Sequence, residues 1–212
     1  MDYSTFQFRK RGEHLQKRIN ELRGKLCQAD PEILSTFTGI PFNRLDSGGE
    51  FIFLFGQQNL KLNFPELELL NVDSKKQPNP LIQALVFYYF HTADGHPLSY
   101  RWIAFSELPN GLFYNQAFQG YTGHILYKTF HNHIDHFINR ANNLGGVAEP
   151  FGDVAFRFQI LPRLPLLVAV WLGDDDFPPS YKILFDASIP HYLPTDACAI
   201  AGSMLTGLFT KD

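Results

Sequence analysis

The sequence contains little cysteine and little charge. Cys27 and Cys198 are its two cysteines, which argues against a disulfide framework and excludes a four-cysteine zinc or iron–sulfur site within one chain. Charged residues make up 18% of the 212 residues, against roughly 25% in an ordinary soluble domain. Hydrophobic residues still make up 45%, so intrinsic disorder, a collagen-like repeat and a coiled-coil rod are excluded.

Long apolar runs and a secretory signal are also missing. The longest apolar stretch, Leu164 to Leu172, contains Pro165 and has the length of a strand, whereas a membrane-spanning helix needs roughly 18 such residues. Residues 1–7 lack the apolar segment of a secretory signal peptide. We therefore expect a cytoplasmic protein without a transmembrane segment.

What the sequence has in excess is aromatic side chains, with 21 Phe, 9 Tyr and 2 Trp. Six of them lie within twenty residues of the sequence, beside Arg101: Trp102, Phe105, Phe113, Tyr114, Phe118 and Tyr121. Residues 115–123 contain glycine, and we predict that they form a loop. Loops usually carry polar residues, so these aromatics indicate either a pocket for a flat or apolar ligand or a lid folded onto the core. The sequence leaves both interpretations open.

The pattern of apolar residues predicts an α+β fold with a mostly antiparallel sheet, in which residues 29–212 form a single domain. Asp30-Pro31-Glu32 predicts a helix start, because Asp suits the cap position and Pro the first helical position. Residues 51–64 predict two strands, the first of them apolar on both faces, and 67–72 a third. Asn79-Pro80 predicts the start of a central helix that extends to about His91.

The second half of the sequence predicts a long helix and then a meander. An apolar stripe predicts one continuous helix from Gly123 to Leu144. Alternation from Val154 to Ile160, the apolar run that follows and the segment 181–185 then predict three antiparallel strands joined by short turns. Thr195 is expected to begin a closing C-terminal helix.

Residues 1–28 predict an amphipathic basic helix that acts as a docking arm. Residues 1–26 hold seven basic and three acidic side chains, so this segment carries +4 in a chain whose net charge is −3. Glu13–Lys17 and Glu21–Lys25 are helical ion-pair spacings, which favours a solvated helix face over a nucleic-acid arm. The apolar stripe of the helix predicts packing on the body of the protein or on a second copy, and hence a possible homodimer.

The tract from Phe177 to Asp196 is the most distinctive in the chain, because it places several polar side chains at a strand end and a helix start. These are Ser180, Asp186, Ser188, His191 and Asp196. A carboxylate that fixes the tautomer of an imidazole prepares it as a base or as a ligand. The alternatives are that Asp186 binds turn amides and that Asp196 sits at a helix N-terminus. A catalytic triad is weakly supported, because neither a nucleophile elbow nor an oxyanion loop is present.

Two other polar clusters have simpler explanations. His131, His133 and His136 do not match the spacing of helical metal sites, so solvated histidines on a helix are favoured. Asp174–Asp176 lacks the pattern of a calcium loop, and a charged turn is favoured.

The same tract carries a resemblance. Phe177–Ser180, Leu184–Asp186 and His191–Asp196, with Ala93-Asp94-Gly95 and Leu161–Pro165, resemble a prokaryotic family catalogued as domain of unknown function 3786. Some relatives are joined to an iron–sulfur domain of the kind seen in corrinoid proteins, so the resemblance implies a setting in anaerobic cofactor metabolism. Thr195-Asp196-Ala197 departs from the Thr-Glu-Asp usual in the family, which removes one carboxylate.

The leading hypothesis is a non-catalytic accessory protein that binds a small ligand or cofactor, with haem or a corrinoid as candidates, or a partner protein that carries one. In it His191 is an axial ligand or hydrogen-bond partner and Asp186 orients its ring. The predicted ligand-binding residues are His191, Asp186, Ser180, Trp102, Tyr114, Phe118, Arg101 and Asp196. One alternative is an enzyme that uses His191 as general base with Asp186 or Asp196, around a divalent metal. Another is a protein–protein interaction module.

Overall fold

A computed structural model describes residues 3–211, with side chains from residue 14 onward. The chain divides into two units, and the border between them lies after His96. The first unit comprises the residues up to His96 together with His191–Leu193, and the second comprises Pro97–Pro190 and the chain from Pro194. The division into an arm at 1–28 and a domain at 29–212 stays a prediction.

The helices of the first unit are α1 (Tyr3–Leu26), α2 (Pro31–Thr38) and α3 (Pro80–Thr92). Helices α2 and α3 begin where the capping residues predict. The Asp30 side chain accepts a hydrogen bond from the Glu32 backbone N–H, and that of Asn79 accepts two from the start of α3. Ser4 and Gln7 have the spacing of a capping box, which predicts a helix start, and their side chains lie outside the described ones.

Helix α1 packs along α3 within the first unit. Ile19, Leu22 and Leu26 on its apolar stripe are at most 2% exposed. Helix α3 is apolar nearly all round and buried from Ala84 to Phe90, as expected of a central helix. The part of this stripe whose side chains the structure describes is therefore covered by the same chain.

The sheet of the first unit has four antiparallel strands in sequence order. They are β1 (Phe42–Arg44), β2 (Gly49–Phe55), β3 (Gln58–Phe64) and β4 (Leu69–Asn71). Phe51, Phe53 and Phe55 are buried, and the Phe51 and Phe53 rings contact Phe90 of α3. Ile52 and Leu54 on the other face are exposed, so only one of the two apolar faces of β2 is buried.

The sheet of the second unit has five antiparallel strands in the order β5-β9-β8-β7-β6. Their bounds are β5 (Trp102–Ala104), β6 (Val147–Ala148), β7 (Val154–Leu161), β8 (Leu164–Trp171) and β9 (Ser180–Asp186). The predicted meander is confirmed as β7, β8 and β9. The α+β fold with a C-terminal closing helix is likewise confirmed.

The helices of the second unit are α4 (Gly111–Tyr121), α5 (Gly123–Phe130), α6 (Ile134–Asn143) and α7 (Thr195–Thr210). The prediction of one helix from Gly123 to Leu144 is wrong, because His131 adopts a left-handed φ of 46° and interrupts it. The His131 carbonyl, freed from the helix, accepts a hydrogen bond of 3.0 Å from the Tyr181 hydroxyl. Phe130 and Phe137, on either side of the break, both contact Phe209 of α7.

Candidate functional site

His191 forms a hydrogen-bonded pair with Asp94, which lies two residues after the end of α3. The Nδ1 atom of His191 lies 2.6 Å from Oδ2 of Asp94. The other carboxylate oxygen, Oδ1, accepts a hydrogen bond of 2.9 Å from the His96 backbone N–H. Gly95 between them has a φ of +84°, which closes the turn and which side-chain-bearing residues rarely adopt. We call Asp94, His96 and His191 the histidine site.

The ring of His96 lies flat against that of His191. Their centroids are 3.9 Å apart and the ring planes are inclined by 6°. Buried aromatic side chains hold the backbone of the site in place. The Tyr192 hydroxyl donates to the His96 carbonyl, and the Tyr192 ring stacks on Tyr89 at 5.6 Å. The position of the imidazole is therefore set by packing.

The Asp94 carboxylate determines which nitrogen of the neutral His191 ring carries the proton. The hydrogen bond from His191 lowers the pKa of Asp94, slight burial opposes this, and the His96 N–H lowers it further. An ionised Asp94 is only an acceptor, so Nδ1 of His191 must donate, and the neutral ring carries its lone pair on Nε2. The His191 side chain is 39% exposed. The site thus offers one oriented ring nitrogen, the group that a metal ligand or a general base requires.

Asp186 does not pair with His191 as the leading hypothesis has it, and it binds backbone amides, which is the alternative that the sequence left open. It is 1% exposed and accepts five hydrogen bonds, from the backbone N–H and hydroxyl of Ser99, the N–H of Tyr100, and the N–H and hydroxyl of Ser188. Burial raises the pKa of Asp186, but the hydrogen bonds from Ser188 and Ser99 outweigh it and lower the pKa. The carboxylate that orients His191 is therefore Asp94, and Asp186 anchors the segment that precedes β5.

The aromatic segment is helical where the sequence predicts a loop, because α4 covers Gly111–Tyr121. Phe118 is fully buried and stacks on Phe105 at 4.1 Å, so both rings belong to the core. Phe113 and Tyr114 lie on the exposed side of α4, at 82% and 65% exposure. The six aromatics thus do not line one pocket.

The remaining predicted ligand residues belong to the second unit. Ser180 is the exposed first residue of β9, and Arg101 is exposed, with its carbonyl accepting from the Ala187 N–H. Asp196 is in the first turn of α7, where its carboxylate accepts from the Ala197 N–H at 2.9 Å. Trp102 pairs in register with Asp186, and both line a cavity of about 70 Å³ at the end of the five-stranded sheet.

Several residues of these sites were missed from the sequence. Asp94 and His96 lie roughly a hundred positions from His191, and the family resemblance at Ala93-Asp94-Gly95 is the one signal that could have indicated them. Tyr100, Glu149 and Arg157, which also line the cavity, had no sequence signal.

Among the described residues, no three or more His, Cys, Asp or Glu side chains are grouped to hold a metal ion. Nor does any helix of that part of the chain have the length and apolar character of a bilayer-spanning segment.

Comparison with known proteins gives one match. The model of a family described as domain of unknown function (DUF3786) matches residues 30–207. No curated protein and no solved structure matches the chain.

Proposed function

Because the chain belongs to the DUF3786 family, whose description names no activity, we propose from the site geometry that it is a non-catalytic protein that binds a small cofactor through His191. The observation that carries this proposal is the hydrogen bond of 2.6 Å between Asp94 and the exposed His191 ring. Histidines that bind a metal almost always donate their other ring N–H to a carboxylate, a carbonyl or water, and Asp94 supplies that partner.

The donor chemistry of the histidine site fits a metal that already carries most of its ligands. His191 offers one ring nitrogen, and it would hold the metal of haem or a corrinoid as a single protein ligand, because the macrocycle itself supplies four nitrogen ligands. Such a cofactor would supply a redox-active or ligand-exchanging metal at Nε2. The chain would hold the imidazole in one tautomer and one orientation, since Asp94 fixes the ring and the Tyr192–Tyr89 stack fixes the backbone.

An absorbance titration with ferric haem and with aquocobalamin tests the proposal. We expect a saturable shift of the visible bands with one of them, abolished in His191→Ala. Asp94→Asn should weaken binding by roughly 10–100-fold, because it removes the partner that orients the ring. His124→Ala is the matched control, since His124 is an exposed helical histidine outside the site. No spectral change with either cofactor, or an unchanged titration in His191→Ala, contradicts the proposal.

The same pair also supports a second candidate, an enzyme that uses His191 as general base. An imidazole with its lone pair on Nε2 and its Nδ1–H on a carboxylate is poised to take a proton. The carboxylate partner in this candidate is Asp94 in place of Asp186 or Asp196. Metal analysis of protein purified without a tag separates the two. A stoichiometric divalent metal that is lost in His191→Ala favours the enzyme, and metal-free protein that binds haem or cobalamin favours the accessory role.

The cofactor can arrive free or on a partner protein in the cytoplasm, the compartment predicted from the sequence. The exposed Phe113 and Tyr114 on α4 support a protein partner, because neighbouring exposed aromatics are typical of interaction surfaces. The described part of the apolar stripe of α1 packs on α3, so it does not support a homodimer through this helix.

A further inference from the structure

The cavity of the second unit has its own set of polar and aromatic groups, distinct from the histidine site. Six such side chains line it: Tyr100, Trp102, Glu149, Arg157, Gln159 and Asp186. Its volume of about 70 Å³ has room for on the order of five water-sized groups. That is the size of a ligand head group, well below the volume of a site for a drug-sized molecule.

One side of the cavity carries a pair of opposite charges whose hydrogen-bonding capacity is only partly used. Nε of Arg157 donates to Oε1 of Glu149 at 2.6 Å, and Nη1 donates to the Gln159 side-chain oxygen at 3.3 Å. Among the described side chains, Nη2 of Arg157 and Oε2 of Glu149 have no hydrogen-bond partner. Arg157 is 33% and Glu149 is 27% exposed, so the pair is partly shielded from water. The pair therefore offers a ligand one positively charged donor, Nη2 of Arg157, and one negatively charged acceptor, Oε2 of Glu149.

The cavity lining also includes two aromatic residues, and one of them has an uncommon backbone conformation. Tyr100 has a φ of 54° and is 83% exposed as a residue. Its backbone N–H donates to Oδ2 of the buried Asp186 at 2.7 Å, which holds the conformation in place. Left-handed backbone at a non-glycine residue concentrates at functional sites, where the surrounding structure maintains it. The half-buried Trp102 adds a second ring, and aromatic faces attract cations.

We propose that this cavity binds the head group of a small α-amino acid in its zwitterionic form. The carboxylate accepts from Nη2 of Arg157, and the ammonium group donates to Oε2 of Glu149 and lies against the rings of Tyr100 and Trp102. An anion without a positive group is repelled by the Glu149 carboxylate, and a cation without an acceptor leaves Nη2 of Arg157 unpaired. Only a ligand with both charges satisfies Arg157 and Glu149 together. The α-carbon and a short side chain occupy the rest of the volume.

Binding is measured from the two indole N–H signals in nuclear magnetic resonance spectra. Trp102 lines the cavity, and Trp171, the other tryptophan of the chain, serves as the internal reference. Titration with glycine, alanine or serine should shift the Trp102 signal saturably. Acetate and methylammonium should bind at least about tenfold more weakly, because each makes only half of the charged contacts. The absence of a saturable Trp102 shift with all three amino acids, or acetate binding as tightly as glycine, overturns the proposal.

Two variants assign the charged contacts. Arg157→Gln and Glu149→Gln should each weaken glycine binding by at least about tenfold. Arg44→Gln is the matched control, because Arg44 forms an Arg–Glu ion pair of 3.0 Å with Glu32 that does not line the cavity. Circular dichroism checks that each variant folds, and if Arg157→Gln does not, Arg157→Lys and Glu149→Gln decide. Glycine binding at wild-type strength in the folded variants overturns the proposal.

The amino-acid site and the proposed function can fail separately. His191 does not line the cavity, so His191→Ala should bind glycine as the wild type does. Wild-type protein that binds glycine but neither haem nor cobalamin rejects the cofactor role and retains the amino-acid site. The opposite pattern rejects the amino-acid site alone.

Discussion

Replacing Asp186 should destabilise the second unit strongly, because its carboxylate is buried and accepts five hydrogen bonds. Hydrogen bonds to a charged group contribute about 1.5–3 kcal/mol each to the free energy of unfolding, and a buried group left unpaired costs about 1–3 kcal/mol. In Asp186→Ala the N–H groups of Ser99 and Tyr100 can form hydrogen bonds with water, because these residues are exposed. The N–H and hydroxyl of Ser188 are buried and lose their acceptor without replacement. The two groups of Ser188 therefore dominate, and we expect a loss of about 3–5 kcal/mol.

The effect should also depend on pH. Because the folded-state pKa of Asp186 is lowered, its ionised form stabilises the protein above the unfolded value of about 3.9, and this contribution is lost as pH falls through the folded-state pKa. The free energy of unfolding of the wild type should therefore decrease more steeply below about pH 5 than that of Asp186→Asn. The carboxamide keeps the volume of Asp186, but it neither ionises nor accepts with both of its terminal atoms.

Urea denaturation followed by tryptophan fluorescence is the assay, since Trp102 and Trp171 both lie in the second unit. Asp174→Ala is the matched control. The Asp174 carboxylate also accepts two backbone N–H groups, at 3.0 and 2.8 Å, but in an exposed turn. We expect this variant to lose less than about 1 kcal/mol, because water replaces its hydrogen bonds. An Asp186→Ala variant no less stable than Asp174→Ala would refute the reasoning.

Three further predictions concern packing and titration. Phe118→Ala should lower the free energy of unfolding by about 3–5 kcal/mol, whereas Phe113→Ala should change it by less than about 0.5 kcal/mol, because Phe118 is buried and Phe113 is exposed. Equal losses for the two variants in urea denaturation would contradict the assignment of Phe118 to the core. Burial raises the pKa of Tyr181 to about 12, so stability should fall as pH rises from the unfolded value of about 10, and Tyr181→Phe should remove that loss in alkaline unfolding curves. Cys27 is exposed and Cys198 is buried with a raised thiol pKa, so a thiol reagent should label only Cys27 in the folded protein, and rapid labelling of Cys198 would contradict the placement of α7.

The elements that sequence reasoning predicted well have local chemical signals. The starts of α2 and α3 follow from Asp30-Pro31 and Asn79-Pro80, whose side chains cap the helices they precede. The C-terminal meander follows from alternation along β7 and from the apolar run of β8, which is buried on both faces.

The break at His131 had no such signal. Leu126 and Phe130 before it and Phe137 and Ala141 after it are all buried, so the apolar stripe continues across the interruption. Periodicity reports which side chains are buried, and it does not report the backbone angle of the residue between them. The helix α4 was missed for a related reason. Its glycines are typical of a loop sequence. The contact that stabilises the helix, the packing of Phe118 on Phe105, is a tertiary contact that local sequence patterns do not report.

For the histidine site, the tract around His191 could be predicted but its partner could not. Asp186 was the nearer carboxylate in sequence, yet Ser99, Tyr100 and Ser188 occupy its oxygens. Asp94 reaches His191 from the end of α3, 97 positions away. No local rule joins residues at that separation, because the pairing depends on where the folded chain returns.

The most direct test of the account is the tautomer of the neutral His191 ring, read from long-range proton–nitrogen correlation spectra of the imidazole side chains. The account predicts a proton on Nδ1, held by Asp94 at 2.6 Å, a bare Nε2, and an Nε2 resonance that shifts or broadens when haem or cobalamin is added. In Asp94→Asn the fixed tautomer should be lost. A proton on Nε2 in the wild type, or an Nε2 signal that neither cofactor changes, would contradict the claim that His191 is an oriented ligand.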